Sequence, residues 1–199
     1  MLRQKQFEAL KKVALELERA SVKDWVLAGG GAGSFYGLKR EPKDLDIGLG
    51  RRESRQGFAV AERVFGFPQA KWKSERGWKA FYSNGRIEGE SVDFFTEIYH
   101  SIGNETVYFS VDYDTLKNRK EFDVLGVKVP VMPVEDLVFM KVVSQRGAKE
   151  GKTDLEDARE LLELNAREFN WEQFNKRLSP ETEAVKKRAR DCVERLRLQ

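Results

Sequence analysis

The chain is poor in the side chains that build many reactive centres. Its 199 residues include one cysteine, Cys192, and one histidine, His100. A lone cysteine excludes an intrachain disulfide, and this composition excludes zinc sites made from Cys and His clusters. A Ser-His-Asp or Cys-His centre would have to rest on His100 alone, and no nucleophile motif stands near it. His100 therefore reads as a surface-loop residue. No stretch is apolar for long enough to span a membrane, and the amino-terminal MLRQKQFEALKKVALELERA lacks the apolar run of a signal peptide. These absences predict a soluble, reduced, cytoplasmic protein with no membrane partner. Neither sign of charge dominates: 36 Lys and Arg face 33 Asp and Glu, so the net +3 pulls only weakly toward a polyanion.

What is present suffices for a core, with 40% hydrophobic residues and 11% aromatic, and this argues against disorder. Phe7, Leu10, Val13, Leu15 and Leu17 approximate a helical stripe and predict a helix over 2–20. Trp25-Val26-Leu27-Ala28 reads as a buried strand ended by glycines, and 31–38 as a turn or short helix. Leu45-Asp46-Ile47-Gly48-Leu49 alternates, with Asp44 and Asp46 on one face and Leu45, Ile47 and Leu49 on the other. A helix is predicted over 55–65. Asn84-Gly85, flanked by Trp78–Tyr82 and Ile87–Phe95, predicts a hairpin. Further strands are predicted over 105–111 and 121–131. From Pro133 the pattern turns helical, over about 133–146, 153–164, 170–177 and 181–197. Pro133 suits a first helical turn, with Glu135 and Asp136 at the positive end of the helix dipole. There is no internal repeat and no low-complexity linker. The expected fold class is α+β: a mixed β-sheet with flanking helices over 1–130, then a helical C-terminal region over 131–199.

The glycines of GGGAGSFYGLKREPKDLDIGL, residues 29–49, do not have the spacing of a dinucleotide fingerprint, and no Gly-Lys-Ser/Thr ends a P-loop. They do precede a strand bearing Asp44 and Asp46. Residues two apart on a strand point the same way, about 7 Å apart, so both carboxylates can converge on divalent cations. Glycines let backbone approach a triphosphate without a Cβ in the way. Ser91-Val92-Asp93-Phe94-Phe95 offers a third acid, because Val92 and Phe94 take the core face.

This pattern resembles the nucleotidyltransferase superfamily of polymerase-β-like fold. Gly29-Gly30-x-Ala32, Gly37, Arg40 and Lys43-Asp44-Leu45-Asp46 are similar to the G-G-x-A-x-x-x-x-G-x-x-R-x-x-x-D-x-D of its stand-alone members. That group includes antibiotic nucleotidyltransferases and abortive-infection-type toxins. Met132-Pro133-Val134-Glu135-Asp136-Leu137 with Lys141 and Arg146, then Lys152-Thr153-Asp154-Leu155-Glu156-Asp157, is similar to the family's P-x-E-D-L-x-x-x-K … K-D-x-x-D. Thr153 departs from that pattern, in which the basic residue directly precedes the Asp. The resemblance spans roughly residues 25 to 163. It implies an enzyme that moves a nucleoside monophosphate from a nucleoside triphosphate to a hydroxyl and releases pyrophosphate, with Mg²⁺ or Mn²⁺ as cofactor. Asp44, Asp46 and Asp93 would hold the metal, and Asp93 could instead take the acceptor's proton. Gly29 and Gly30 would meet the phosphates. Gly33-Ser34 is a second candidate turn, with Ser34 as a phosphate contact. Lys141, Arg40 and Lys43 would offset phosphate charge. Asp154 and Asp157 would orient Lys141 or the acceptor. The acceptor could be a small molecule, a tRNA or a protein. A toxin-type enzyme acting on tRNA and a non-catalytic nucleotide-binding domain are the alternatives.

Several of these residues have plainer uses. Lys141 could snorkel from an apolar helix, Asp154 and Asp157 suit a helix N-terminus, and Arg40 and Lys43 could simply solubilise. The basic run Lys186-Lys187-Arg188-Ala189-Arg190 fits RNA phosphates or a solvated helix face. Trp72 and Trp78, amid Lys71, Lys73, Arg76 and Lys79, fit base stacking or, more commonly, core packing.

Overall fold

A computed structural model describes residues 1–75, 77–147 and 151–197. Arg76 lies outside the described residues. In chain order the elements are α1 (Gln4–Arg19), β1 (Trp25–Ala28), α2 (Gly29–Phe35), β2 (Asp44–Leu49), α3 (Ser54–Arg63), β3 (Lys71–Glu75), β4 (Trp78–Ile87), β5 (Glu90–Ile102), β6 (Glu105–Ser110), α4 (Tyr113–Asn118), β7 (Lys120–Val124), β8 (Val127–Val131), α5 (Val134–Ser144), α6 (Asp154–Leu164), α7 (Trp171–Leu178) and α8 (Glu183–Arg197). The strands form one mixed sheet in the order β3-β4-β5-β2-β1-β8-β7. β2 runs parallel to the first half of β5, and β6 pairs antiparallel with its second half. The class is α+β, as the sequence predicts.

The four residues of β1 are all buried, as expected of a strand in mid-sheet with both faces covered. Leu10, Val13 and Leu17 of α1 join Leu27, Leu45 and Ile47 in one hydrophobic core that continues into α5, α6, α7 and α8. Each of these leucines is fully buried, so truncating one to Ala would cost about 2–5 kcal/mol. That is a large share of the roughly 5–15 kcal/mol by which a domain is stable. α5 is buried almost all round, including its two acids. Glu135 accepts the backbone N–H of Asn170 at 2.7 Å. Asp136 accepts Arg177 at 2.9 and 2.6 Å and the Thr115 hydroxyl at 2.7 Å. These acids therefore hold α4, α5 and α7 together, which helix-dipole reasoning alone does not foresee.

The hairpin differs from the sequence expectation. β4 runs straight through Asn84 and Gly85, and the turn falls at Glu88-Gly89, with φ of +54° and +84°. Ile87 pairs with Glu90 across it, giving a two-residue loop with both positions left-handed. Gly85 is a glycine for another reason: a Cβ there would lie 2.4 Å from the ring of Phe67. Likewise 121–131 is two strands, β7 and β8, turned at Leu125-Gly126 with φ of +52° and +82°. α4 lies where no element was expected, its N-terminus capped by Asp112 accepting Thr115 N–H at 3.0 Å. Pro133 caps α5 from just outside its first turn. Gly85→Ala is expected to destabilise the protein by about 1–3 kcal/mol through overlap with Phe67, measured by urea denaturation. A cost near zero would show that Phe67 does not demand the glycine.

Candidate active site

Alternation along β2 and β5 sorts acids from core. Leu45, Ile47, Val92 and Phe94 are fully buried on one face. Asp44, Asp46 and Asp93 rise from the other. Asp46 pairs in register with Asp93 on one side and with Ala28 on the other, so the two carboxylates stand on neighbouring strands. The next residue after Ala28 is Gly29, with φ of +56°, and a Cβ there would lie 1.9 Å from Asp46 Oδ2. Both the backbone conformation and the contact demand glycine. A Cβ on Gly30 would stand 3.3 Å from the Arg40 guanidinium. Gly33, by contrast, packs on Leu38, and the Ser34 hydroxyl donates back to the Gly30 carbonyl at 3.4 Å. Of the two candidate turns, the one at Gly29-Gly30 lies at the aspartates, with Gly29 against Asp46.

The acids repel one another. Burial, and then the charges of Asp44 and Asp93, push Asp46 up to about 7, against the pull of Lys152 and Arg146. Burial and Asp44 push Asp93 up to about 6, opposed by Lys152 and Lys73. Among the described residues, no three such groups are gathered closely enough to hold a metal ion by themselves. The donors are nevertheless all hard carboxylate oxygens in a field that a dication would relieve. That set fits Mg²⁺ or Mn²⁺ sharing its shell with substrate phosphates and water.

Asp46 and Asp93 line a cavity of about 430 Å³ floored by Trp78, Ala80 and Tyr82 of β4 and Ile98 and His100 of β5. Lys73, Glu75, Arg146 and Lys152 also line it. His100 is no surface-loop residue: it is buried in β5 and stacks on Trp78 at 4.0 Å and 15°. The Arg146 guanidinium sits 4.5 Å over the Trp78 ring. Trp72 is also no core residue. It is 44% exposed on the opposite face of β3, beside Lys79 at 4.9 Å.

Lys141 does not line the cavity. It is 7% exposed and donates to Asp157 at 2.6 Å, with Asp154 at 3.8 Å. Asp157 also accepts Arg40 at 2.5 and 2.6 Å. Asp154 accepts the Arg146 side chain at 2.8 and 3.2 Å and its backbone N–H at 2.9 Å. The five groups form a chain, Arg40–Asp157–Lys141–Asp154–Arg146, that passes from the glycine turn to the cavity. Of the two roles expected for Asp154 and Asp157, orienting Lys141 is the one this geometry serves. The Lys43 ammonium bonds the Gly151 carbonyl at 3.2 Å, pinning the β2 approach to the α6 approach. Arg146, Lys152 and Lys73 were not singled out as site residues in the sequence, because their convergence depends on α5, α6 and β3 meeting one face of the sheet. In the basic helix, Ala189 packs inward and Arg188 bonds the Val143 carbonyl at 3.1 Å.

Among solved structures the chain is similar to a Thermotoga maritima protein named as a nucleotidyltransferase, with a TM-score of 0.54 at 21% identity over 68% of this chain and 81% of that one. It is also similar to the antibiotic-resistance factor ANT(2'')-Ia, at TM-score 0.55 and 13% identity over 98% of each chain. The same factor in complex with adenylyl-2''-tobramycin gives 0.53 at 14%, over 96% of this chain and 98% of that one. The fold is a nucleotidyltransferase fold. Searches of the sequence against protein-family models and against curated proteins find no match. In this nucleotidyltransferase fold the three aspartates lie on β2 and β5, in mid-sheet, and α2 begins beside them.

Two outcomes follow from this geometry. Raised acids favour the proton-bound native state, so their cost is absent below pH 4, grows as pH climbs from about 4 to 7 and is complete above that. Asp46→Asn should therefore raise Tm at pH 8, by roughly 2–4 °C per kcal/mol relieved, with the gain vanishing near pH 4 in thermal melts without metal. Lys141→Met should destabilise by about 3 kcal/mol in urea, the low end for a broken buried pair, because each acid keeps a guanidinium.

Proposed function

We propose that the protein is a nucleotidyltransferase that moves the nucleoside monophosphate of a nucleoside triphosphate onto a hydroxyl acceptor and releases pyrophosphate. The observation that carries this reading is the register row Ala28–Asp46–Asp93, with Gly29 closed over the Asp46 carboxylate, in a fold shared with nucleotidyltransferases. Asp44, Asp46 and Asp93 would hold Mg²⁺ or Mn²⁺. When bound, the dication supplies charge compensation to phosphate oxygens.

The chain's own residues do the rest. Gly29 and Gly30 would present backbone N–H groups to the triphosphate. Arg40 lies beside Gly30, and Asp157 fixes its orientation. Lys141 acts as a positioning residue through Asp157 and Asp154. Where Asp93 does not hold the dication, it is the base that accepts the proton of the attacking hydroxyl. As that O–H bond breaks, the acceptor oxygen bonds to the α-phosphorus. The bond from that phosphorus to the pyrophosphate oxygen breaks, and its electron pair leaves with pyrophosphate.

The adenylyl group on the neighbour's tobramycin makes ATP the first donor to test. Cytoplasmic placement is supported by the single buried thiol Cys192 and by the absence, among the described residues, of a helix long and apolar enough to cross a membrane. The three aspartates together favour catalysis over a binding-only domain.

The test supplies each of four α-labelled nucleoside triphosphates with Mg²⁺ or Mn²⁺ and, in turn, total tRNA, an extract protein pool and a metabolite pool. Label should enter one pool, and Asp44→Asn with Asp46→Asn should abolish it. Asp93→Asn should lower kcat by about 10²–10⁴-fold. Absence of both label and triphosphate binding would overturn the reading. Label in tRNA would select the toxin-type variant.

A further inference from the structure

We propose that the acceptor served by this site carries an anionic group beside a flat ring, and that Arg146 selects it. The proposal rests on nucleotidyl transfer as read above and names the class of its second substrate.

Sheet order gives Asp46 two sides. On one lies β1 with Gly29, and near it Gly30 and Arg40. On the other lie β5, β4 and β3 in succession. The cavity opens over the second side alone, since neither Gly29, Gly30 nor Arg40 lines it. The glycine turn and the cavity therefore offer two substrates separate places on either side of Asp46. The donor's phosphates belong with the glycines, which leaves the cavity to the acceptor.

The cavity has an apolar, ring-bearing floor in Trp78, Tyr82 and Ile98. Beyond the two aspartates, its charged lining is Lys73, Arg146 and Lys152 against Glu75, and Glu75 sits 3.3 Å from Lys73. With Asp46 and Asp93 given to the dication, three cations face one acid where the acceptor would lie. A polyamine such as the tobramycin bound by the structural neighbour would meet like charge here.

Arg146 is the best fixed of these cations. Its backbone N–H and two side-chain nitrogens all bond Asp154, which is 1% exposed and has Lys141 on its far side. Its guanidinium carbon lies over the Trp78 ring at 4.5 Å. The side-chain bonds to Asp154 use two of the five guanidinium N–H groups. A planar fork held in place before a ligand arrives loses little freedom on binding and matches phosphate or carboxylate geometry. The shared chemistry, a phosphate beside a ring and a free hydroxyl, occurs in free nucleotides and at RNA ends.

The test is a calorimetric titration of the full chain with the donor place filled by α,β-methylene-ATP. The probes are AMP, adenosine, a trinucleotide RNA with a free 3′ hydroxyl, and tobramycin. AMP should bind at least about tenfold more tightly than adenosine, as one charge-assisted bond warrants, and more tightly than tobramycin. Arg146→Gln should erase the AMP-over-adenosine preference while its melting curve stays cooperative, and Lys73→Gln should reduce it. A trinucleotide that outbinds AMP assigns the RNA source, and one that does not assigns the small molecule. Tobramycin binding best, or an unchanged preference in Arg146→Gln, overturns the proposal. If the triphosphate analogue itself does not bind, nucleotidyl transfer falls, and the charge preference is read in the same titration without it.

Discussion

One row of backbone pairs governs the molecule. Ala28, Asp46 and Asp93 lie side by side on β1, β2 and β5, and the chain turns into α2 at the very next residue, Gly29. Fixing this register puts two carboxylates together, places a third two residues away, and brings the start of a helix against one of them. A one-residue slip of β2 would turn both its acids into the core and leave Leu45 and Ile47 facing solvent. The fully buried Leu45, Ile47, Val92 and Phe94 make that slip very costly. Core packing on one face thus sets the chemistry on the other.

The same arrangement is electrostatically unfavourable on its own. Burial and the charge of Asp44 raise the proton affinity of Asp46 and of Asp93, Asp93 adds to that of Asp46, and the cations around them offset this only in part. One of those cations, Arg146, is kept in place by a second set of acids. Asp154 and Asp157 are almost fully buried, and each is satisfied by more than one donor. Buried charges persist only where such pairing is complete. The site is therefore two layers of charge, with strained acids facing the cavity and satisfied ion pairs behind them.

Much of this was legible in the sequence. The period-two pattern around Asp44-Leu45-Asp46 and around Asp93 gave the faces correctly, because alternation on a half-buried strand reports burial directly. The helices after Pro133 were readable from their apolar spacing. The hairpin was not, because Asn84-Gly85 has good local turn chemistry that Phe67 overrides from a distance. The true turns, Glu88-Gly89 and Leu125-Gly126, carry only one residue of the favoured type each. His100 and Trp72 were misread because neither burial nor face can be judged without the register of β3, β4 and β5. Asp154 and Asp157, 13 and 16 residues beyond Lys141, were named as groups that would orient it or the acceptor, but their pairing with Arg146 and Arg40 was not foreseen. Local reasoning cannot show that a charge is already taken.

The chain Arg40–Asp157–Lys141–Asp154–Arg146 has an evolutionary consequence. Its members come from residues 40 to 157, so the glycine turn and the cavity wall share one set of counter-charges. A lineage changing its acceptor by replacing Arg146 would leave Asp154 short of a partner and disturb Lys141, and through it Asp157 and Arg40. Drift in one half of the site must be answered in the other. The two halves can therefore be expected to diversify as a unit, by correlated exchange of acids and bases, and not by grafting one wall at a time.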